Sequence, residues 1–147
     1  MRVYVASKFD RSAEVAEIEK QLEAAGHLVT SAWTHHSIAG DSGWGLRDKL
    51  VEFATADYYG VQIADALIFL HDPASRGGNV ELGLALAWNK HVAVIGGRTA
   101  CPHRGAIFYA LPQVQHFDTV EGAVAWLAYL EREFAAKSHD EVLGVSR

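Results

Sequence analysis

One cysteine, three prolines and one methionine are all that this chain of 147 residues holds of those types. The lone Cys101 excludes an internal disulfide and suits a reducing cytoplasm, where the protein is expected. No apolar run nears the roughly 20 residues that cross a bilayer, and the first residues lack the pattern of a secretory leader. Positive charge is not in excess. A net charge of −5 argues against binding to the backbone of a nucleic acid polymer, yet a few local donors can still hold a small phosphorylated ligand. Neither a Walker-type loop nor a dinucleotide glycine fingerprint is present, which argues against nucleoside triphosphates and nicotinamide cofactors. The eight histidines include no helical pair spaced for zinc, and Cys101 with His103 offers only two ligands. The expectation is no membrane, no metal and no cofactor.

What is there is an alternation of short apolar runs and helical stripes, with half of all residues hydrophobic. That suffices for one domain with a proper core. Val3-Tyr4-Val5-Ala6 reads as a first strand. Asp10 or Ser12 can cap a helix with Val15, Ile18, Leu22 and Ala25 on one face, and Gly26 ends it. Residues 28–33 read as a second strand, and residues 34–45 as a polar, glycine-rich loop. Leu46, Leu50, Phe53 and Ala54 mark a second helix to about Tyr59, with room for an extra turn before Asp65. Ala66–Leu70 is a third strand, residues 82–89 its helix, and residues 92–95 a fourth strand. Val114–Phe117 is a weak fifth strand. Asp118 and Glu121 then form a capping box for a last helix carrying Val120, Val124, Leu127, Leu130 and Phe134. Residues 138–147 read as a polar tail. Such alternation predicts an α/β fold, a parallel sheet of about five strands with helices on both faces, Rossmann-like or flavodoxin-like.

In such sheets ligands bind beyond the carboxyl ends of the strands. The loops there supply Ser7, Lys8 and Phe9, then Trp33, Thr34, His35 and His36, then Asp72, Ser75 and Arg76, and finally Gly96, Gly97 and Arg98. Between Ser75 and Gly83 runs Arg76-Gly77-Gly78-Asn79-Val80-Glu81-Leu82, a small-residue loop with a carboxylate in the first turn of the expected helix. The glycines let backbone amides approach a ligand, and the helix terminus is expected to keep Glu81 ionised. The bland alternative is that Glu81 is an ordinary first-turn acid and Gly77-Gly78 an ordinary turn. Tyr4 can equally be a core residue with a satisfied hydroxyl, Asp57 a solvated helix residue, Trp33 sheet-edge packing, and His35-His36 either base contacts or exposed. Carboxylate, hydroxyls, cations and an aromatic plane in one crevice suit a sugar phosphate carrying a flat base.

These residues carry a resemblance. Val3-Tyr4-Val5-Ala6-Ser7 opens the chain, and Gly26-His27 precedes a strand ending in Trp33. Asp57 stands eight residues before Asp65, and Ser75 six before Glu81. Glu81-Leu82-Gly83 is followed by Ala85, Ala87 and Lys90. Over residues 2–96 the chain resembles the nucleoside 2-deoxyribosyltransferase-like superfamily, in particular its small nucleoside 5′-monophosphate N-glycosidase branch. The resemblance implies a domain of that kind over residues 1–137.

It also implies roles. Glu81 would be the nucleophile that forms a glycosyl-enzyme intermediate, Asp57 the acid beside the leaving base, and Tyr4 the residue that positions Glu81. Transferases of the family that act on free nucleosides tend to carry Asp where Ser75 stands. A serine suits a 5′-phosphate, whereas an aspartate would repel it. Ser7, Lys8, Arg76 and the amides of Gly77 and Gly78 would complete the phosphate side, and Phe9, Trp33 and Asn79 would also bind substrate. Asn79 replaces a glycine common in the family, and Lys8-Phe9 replaces a Gly/Arg-rich phosphate loop. The implied activity is hydrolysis of a (deoxy)nucleoside 5′-monophosphate to base and sugar phosphate. Alternatives are base exchange on free nucleosides and a nucleotide sensor without turnover. A phosphoacceptor domain built on Asp72 lacks the acidic pair needed after its first strand. The implied assembly is a homodimer or a higher even homo-oligomer, with residues 104–108 donated across the interface and the helix of Leu46, Leu50 and Phe53 in contact.

Overall fold

The computed structural model describes residues 1–37, 42–96 and 107–142, with side chains through 136. The order is β1 (Arg2–Ala6), α1 (Ser12–Ala24), β2 (Leu28–Val29), α2 (Gly43–Ile63), β3 (Ala66–Leu70), α3 (Arg76–Ala87), β4 (His91–Ile95), β5 (Val114–Phe117) and α4 (Val120–Val142). Short 3-10 turns lie at Phe9–Arg11, Trp33–His35 and Ile107–Ala110. All strands pair in parallel, in the order β2-β1-β3-β4-β5. This is the flavodoxin-like order, with its switch point between β1 and β3. From β1 the chain crosses one way to β2, and from β3 the other way to β4. Right-handed crossovers therefore put α1 on one face and α2 and α3 on the other.

Buried parallel strands read as continuous apolar runs, because helices cover both faces. Val3 to Ala6 and all of β3 are buried accordingly. Among the described residues no helix is long and apolar enough to cross a membrane.

Several local expectations change. β2 stops at Val29 instead of reaching Trp33. After one more ladder bond, from the Thr30 N–H to the Val3 carbonyl at 2.9 Å, side chains take over the pairing. Thr30 Oγ1 donates to the Gly60 carbonyl at 2.9 Å, and the Ser31 hydroxyl accepts the Val5 N–H at 3.3 Å. The buried Glu19 of α1 receives the Ser31 and Thr34 hydroxyls at 2.5 and 3.1 Å. Those bonds turn residues 30–36 away from the sheet and toward the crevice.

Helix starts also differ. α1 follows Arg11 with no side-chain cap; Asp10 pairs with Lys8 instead, at 2.5 Å. α4 is capped by Thr119, whose hydroxyl accepts the Gly122 N–H at 3.2 Å, in place of the box from Asp118 and Glu121. Its backbone stays helical to Val142, past the tail boundary read at Ser138. Gly26 does end the α1 segment, at φ +86°. The largest change is in α3. It begins at Arg76, with Ser75 as N-cap, so Glu81 lies in the second turn and not the first.

Candidate functional site

Tyr4 lies on β1 and Glu81 on α3, on the two sides of the switch point, with Asp57 arriving from α2. What brings α2 close enough is Gly60, one turn beyond Asp57. A Cβ there would stand 2.6 Å from the Thr30 carbonyl oxygen and 2.9 Å from a Tyr4 ring carbon. Only glycine admits that contact without displacement. Tyr4 is fully buried, and its hydroxyl donates to Glu81 Oε1 at 2.8 Å. Asp57 Oδ1 is buried with no hydrogen-bond partner among the described residues. An orphaned carboxylate oxygen of that kind carries a desolvation cost that a ligand can relieve.

The acids are tuned by that burial. The Glu81 carboxyl is pushed up to about 7, first by loss of water and then by the Asp57 charge, against the opposing pull of the Tyr4 hydroxyl. Burial raises Asp57 as well, opposed by His36 and by Tyr4. The Tyr4 phenol is raised far above its ordinary value by burial and by the two neighbouring acids, so it remains a donor. The expectation that a helix terminus keeps Glu81 ionised is therefore not met. The residue sits one turn too deep, and burial favours its protonated form.

These acids face a crevice of about 350 Å3. Phe9, Trp33 and His36 line it with Ala74, Ser75, Arg76 and Gly77, and Ser7, Lys8, Asp57 and Glu81 are on the lining as well. Trp33 is locked by its indole N–H on the Val5 carbonyl at 2.7 Å, while Phe9 is 59% exposed and tilts over it at 6.3 Å. The buried Ser7 hydroxyl donates to the Leu70 carbonyl at 3.0 Å. A larger depression, of about 480 Å3, opens at the other end of the strands around Asp65, Lys90 and His91. Asp65 there is paired with Arg2 at 2.6 Å, and the three-residue acid and phenol cluster is absent.

Two residues expected at the ligand are not on the crevice lining. Gly78 is buried: a Cβ there would meet Phe69 at 2.6 Å and the Ser75 hydroxyl at 2.5 Å, and its N–H already donates to that hydroxyl at 3.2 Å. Its role is close packing and capping. The Asn79 side chain turns to Tyr109 and to the Ser75 carbonyl. Asp72 closes its own turn by accepting the Ala74 N–H at 2.8 Å. Gly97, Arg98, Cys101, His103 and residues 104–106 of the expected donor loop lie outside the described residues.

His36 is the residue that sequence reasoning undervalued. His35 is exposed as a polar loop suggests, but His36 stacks on Phe53 of α2 at 3.9 Å and 7°, with Nδ1 3.9 Å from Asp57 Oδ2. Phe53 precedes Asp57 by four residues, so the ring and the acid share one helix face. That spacing was the available signal.

No family model matches this sequence, and no curated protein does. A solved structure that does match is the CMP N-glycosidase BcmB of Clostridium botulinum. It is 19% identical, with 87% of this chain and 99% of that chain covered and a TM-score of 0.53. The five-stranded sheet and its helices thus have the fold of that N-glycosidase structure.

Proposed function

We propose that the crevice hydrolyses the N-glycosidic bond of a (deoxy)nucleoside 5′-monophosphate. The observation that carries this is the Tyr4–Glu81 hydrogen bond beside the orphaned Asp57 oxygen, at a cleft lined by aromatic rings and by Ser75. In its ionised form Glu81 attacks the anomeric carbon, a carbon–oxygen bond forms, and the bond to the base nitrogen breaks. The base leaves with that electron pair and takes a proton from Asp57, whose proton affinity burial raises. Water then attacks the anomeric carbon and gives a proton back to Asp57, the bond to the Glu81 carboxylate breaks, and the sugar phosphate leaves with retention. Tyr4 holds the attacking carboxylate in one geometry.

Ser75 favours the phosphorylated substrate. Its hydroxyl accepts from Gly78, and its own proton remains a donor toward an anion at the α3 terminus. Phe9, Trp33 and His36 give the base aromatic, partly polar neighbours on the lining. The CMP N-glycosidase with the same fold supports a nucleotide in this place. A panel of nucleoside monophosphates and nucleosides, assayed for free base, tests the reading. Base should be released from at least one monophosphate, and Glu81→Ala should abolish that release while leaving the fold intact. Substantial turnover by Glu81→Ala would sink the covalent mechanism. Exchange between free nucleosides and a second base, with no need for phosphate, would favour the transferase.

The same reading includes a homodimer. α2 buries only Gly60 and Val61, and leaves Trp44 77%, Val51 57% and Leu50 48% exposed. A helix that apolar on its outer side suits a two-fold partner. Sedimentation should give a dimer at assay concentration; a fully active monomer would refute this part.

A further inference from the structure

We propose that Asn79 and Tyr109 form a latch that positions the amino terminus of α3, and with it the grip on the 5′-phosphate; this rests on the nucleotide reading above. Tyr109 belongs to the 3-10 turn before β5 and is only 7% exposed. Its ring fits against Phe69 and His71 at 6.2 and 5.6 Å. Its hydroxyl donates to Asn79 Oδ1 at 2.6 Å, and the Asn79 amide donates in turn to the Ser75 carbonyl. At the other end, His116 Nε2 of β5 meets the Tyr109 carbonyl at 2.9 Å, and because a carbonyl only accepts, that nitrogen is the donor. A continuous chain therefore runs from β5 through Tyr109 and Asn79 to the N-cap of α3.

Neither Tyr109, Asn79 nor His116 lines the crevice, so the chain acts from behind it. Without it the N-cap keeps the Gly78 N–H on its hydroxyl at 3.2 Å and its own N–H on the Asp72 carbonyl at 3.0 Å, with no tie to the β5 side. An asparagine suits this place because it accepts from a phenol and donates to a carbonyl at once, which glycine cannot do. Glu81 is farther along α3 and has its own anchor in Tyr4. Loosening the latch should therefore disturb phosphate binding and spare the attacking carboxylate.

Tyr109→Phe removes only the hydroxyl, and it can be studied in the full chain. The loss of a hydrogen bond worth roughly 1 kcal/mol predicts about a five- to tenfold effect. Amide exchange at Gly78 should accelerate by that factor while Ile68 in β3 stays unchanged. Binding of inorganic phosphate, followed by the shift of the Gly77 amide, should weaken equally. With the best monophosphate, KM should rise by the same factor and kcat stay within about twofold, while KM for the matching nucleoside is unmoved. Asn79→Ala should reproduce these changes, and the double variant should be no worse than Asn79→Ala. Unchanged Gly78 exchange, unchanged phosphate affinity, additive losses, or equal losses for nucleotide and nucleoside would each overturn the latch. Should the wild-type protein release base from no monophosphate, the nucleotide reading falls, and exchange with phosphate affinity still decides the latch.

Discussion

Glu81→Gln should make the protein more stable above neutral pH while removing its proposed chemistry. Burial lifts this carboxyl from 4.5 to about 7 in the folded state, whereas the unfolded chain keeps the ordinary value. Below about pH 4.5 the residue is protonated in both states and contributes nothing that varies with pH. As pH rises, the unfolded chain ionises first, and folded stability falls at up to about 1.36 kcal/mol per pH unit. Beyond about pH 7 the folded carboxyl ionises too, and the loss stays constant at about 3 kcal/mol, an upper limit for a group at an open crevice. Glutamine keeps the shape, still accepts the Tyr4 hydroxyl, and never ionises. Asp57, also raised by burial against the opposing pull of His36 and Tyr4, is relieved of a nearby like charge. Urea unfolding of both proteins from pH 4.5 to 8.5, followed by tryptophan fluorescence, reads the effect. The stability gap in favour of Glu81→Gln should grow across that range and level off above pH 7. A gap that stays flat would refute the claim that burial holds the proton on Glu81.

Asp57→Asn should remove or move the descending limb of a bell-shaped pH–rate profile, with activated leaving groups losing less than ordinary nucleotides; an unmoved profile with equal losses would leave Asp57 a positioning role. Ser75→Asp should damage monophosphates selectively: at roughly 1.5–3 kcal/mol per charge-assisted bond, the ratio of kcat/KM between nucleotide and nucleoside should fall by at least about tenfold, and an unchanged ratio would exclude Ser75 from phosphate recognition. Gly60→Ala should cost about 1–3 kcal/mol through overpacking, because the new methyl meets Thr30 and Tyr4. A variant with wild-type Tm would mean that α2 does not press on β1 as described.

Much of the scaffold was legible because its signals are local. β3 runs over Ala66–Leu70 as its apolar run implies, and the alternation of elements gives the parallel sheet. Of the implied constellation, Tyr4, Asp57 and Glu81 meet in space, although nothing in any one segment shows that they should. What escaped depends on contacts between distant segments. Gly60 falls just past the end expected for the second helix, near Tyr59, and gains its meaning only when Tyr4 lies against it. β2 reads as six residues until the hydroxyls of Thr30 and Ser31 find Gly60 and Glu19. Residues 76–81 read as a loop because glycines are poor helix formers, yet the Ser75 cap and the packing of Gly78 on Phe69 outweigh propensity. Asn79 and Tyr109 are 30 residues apart, beyond any periodicity.

The two-residue β2 has a consequence for solubility. It is the outer strand on its side of the sheet, where a longer strand would offer a row of unpaired amides and carbonyls as a template for another chain. By ending the strand at Val29 and tying the next residues to α1 and α2 through hydroxyls, the protein leaves little backbone edge to copy on the β2 side of the sheet. The turn that delivers Trp33 and His36 to the crevice thus also blunts the edge against strand-to-strand aggregation.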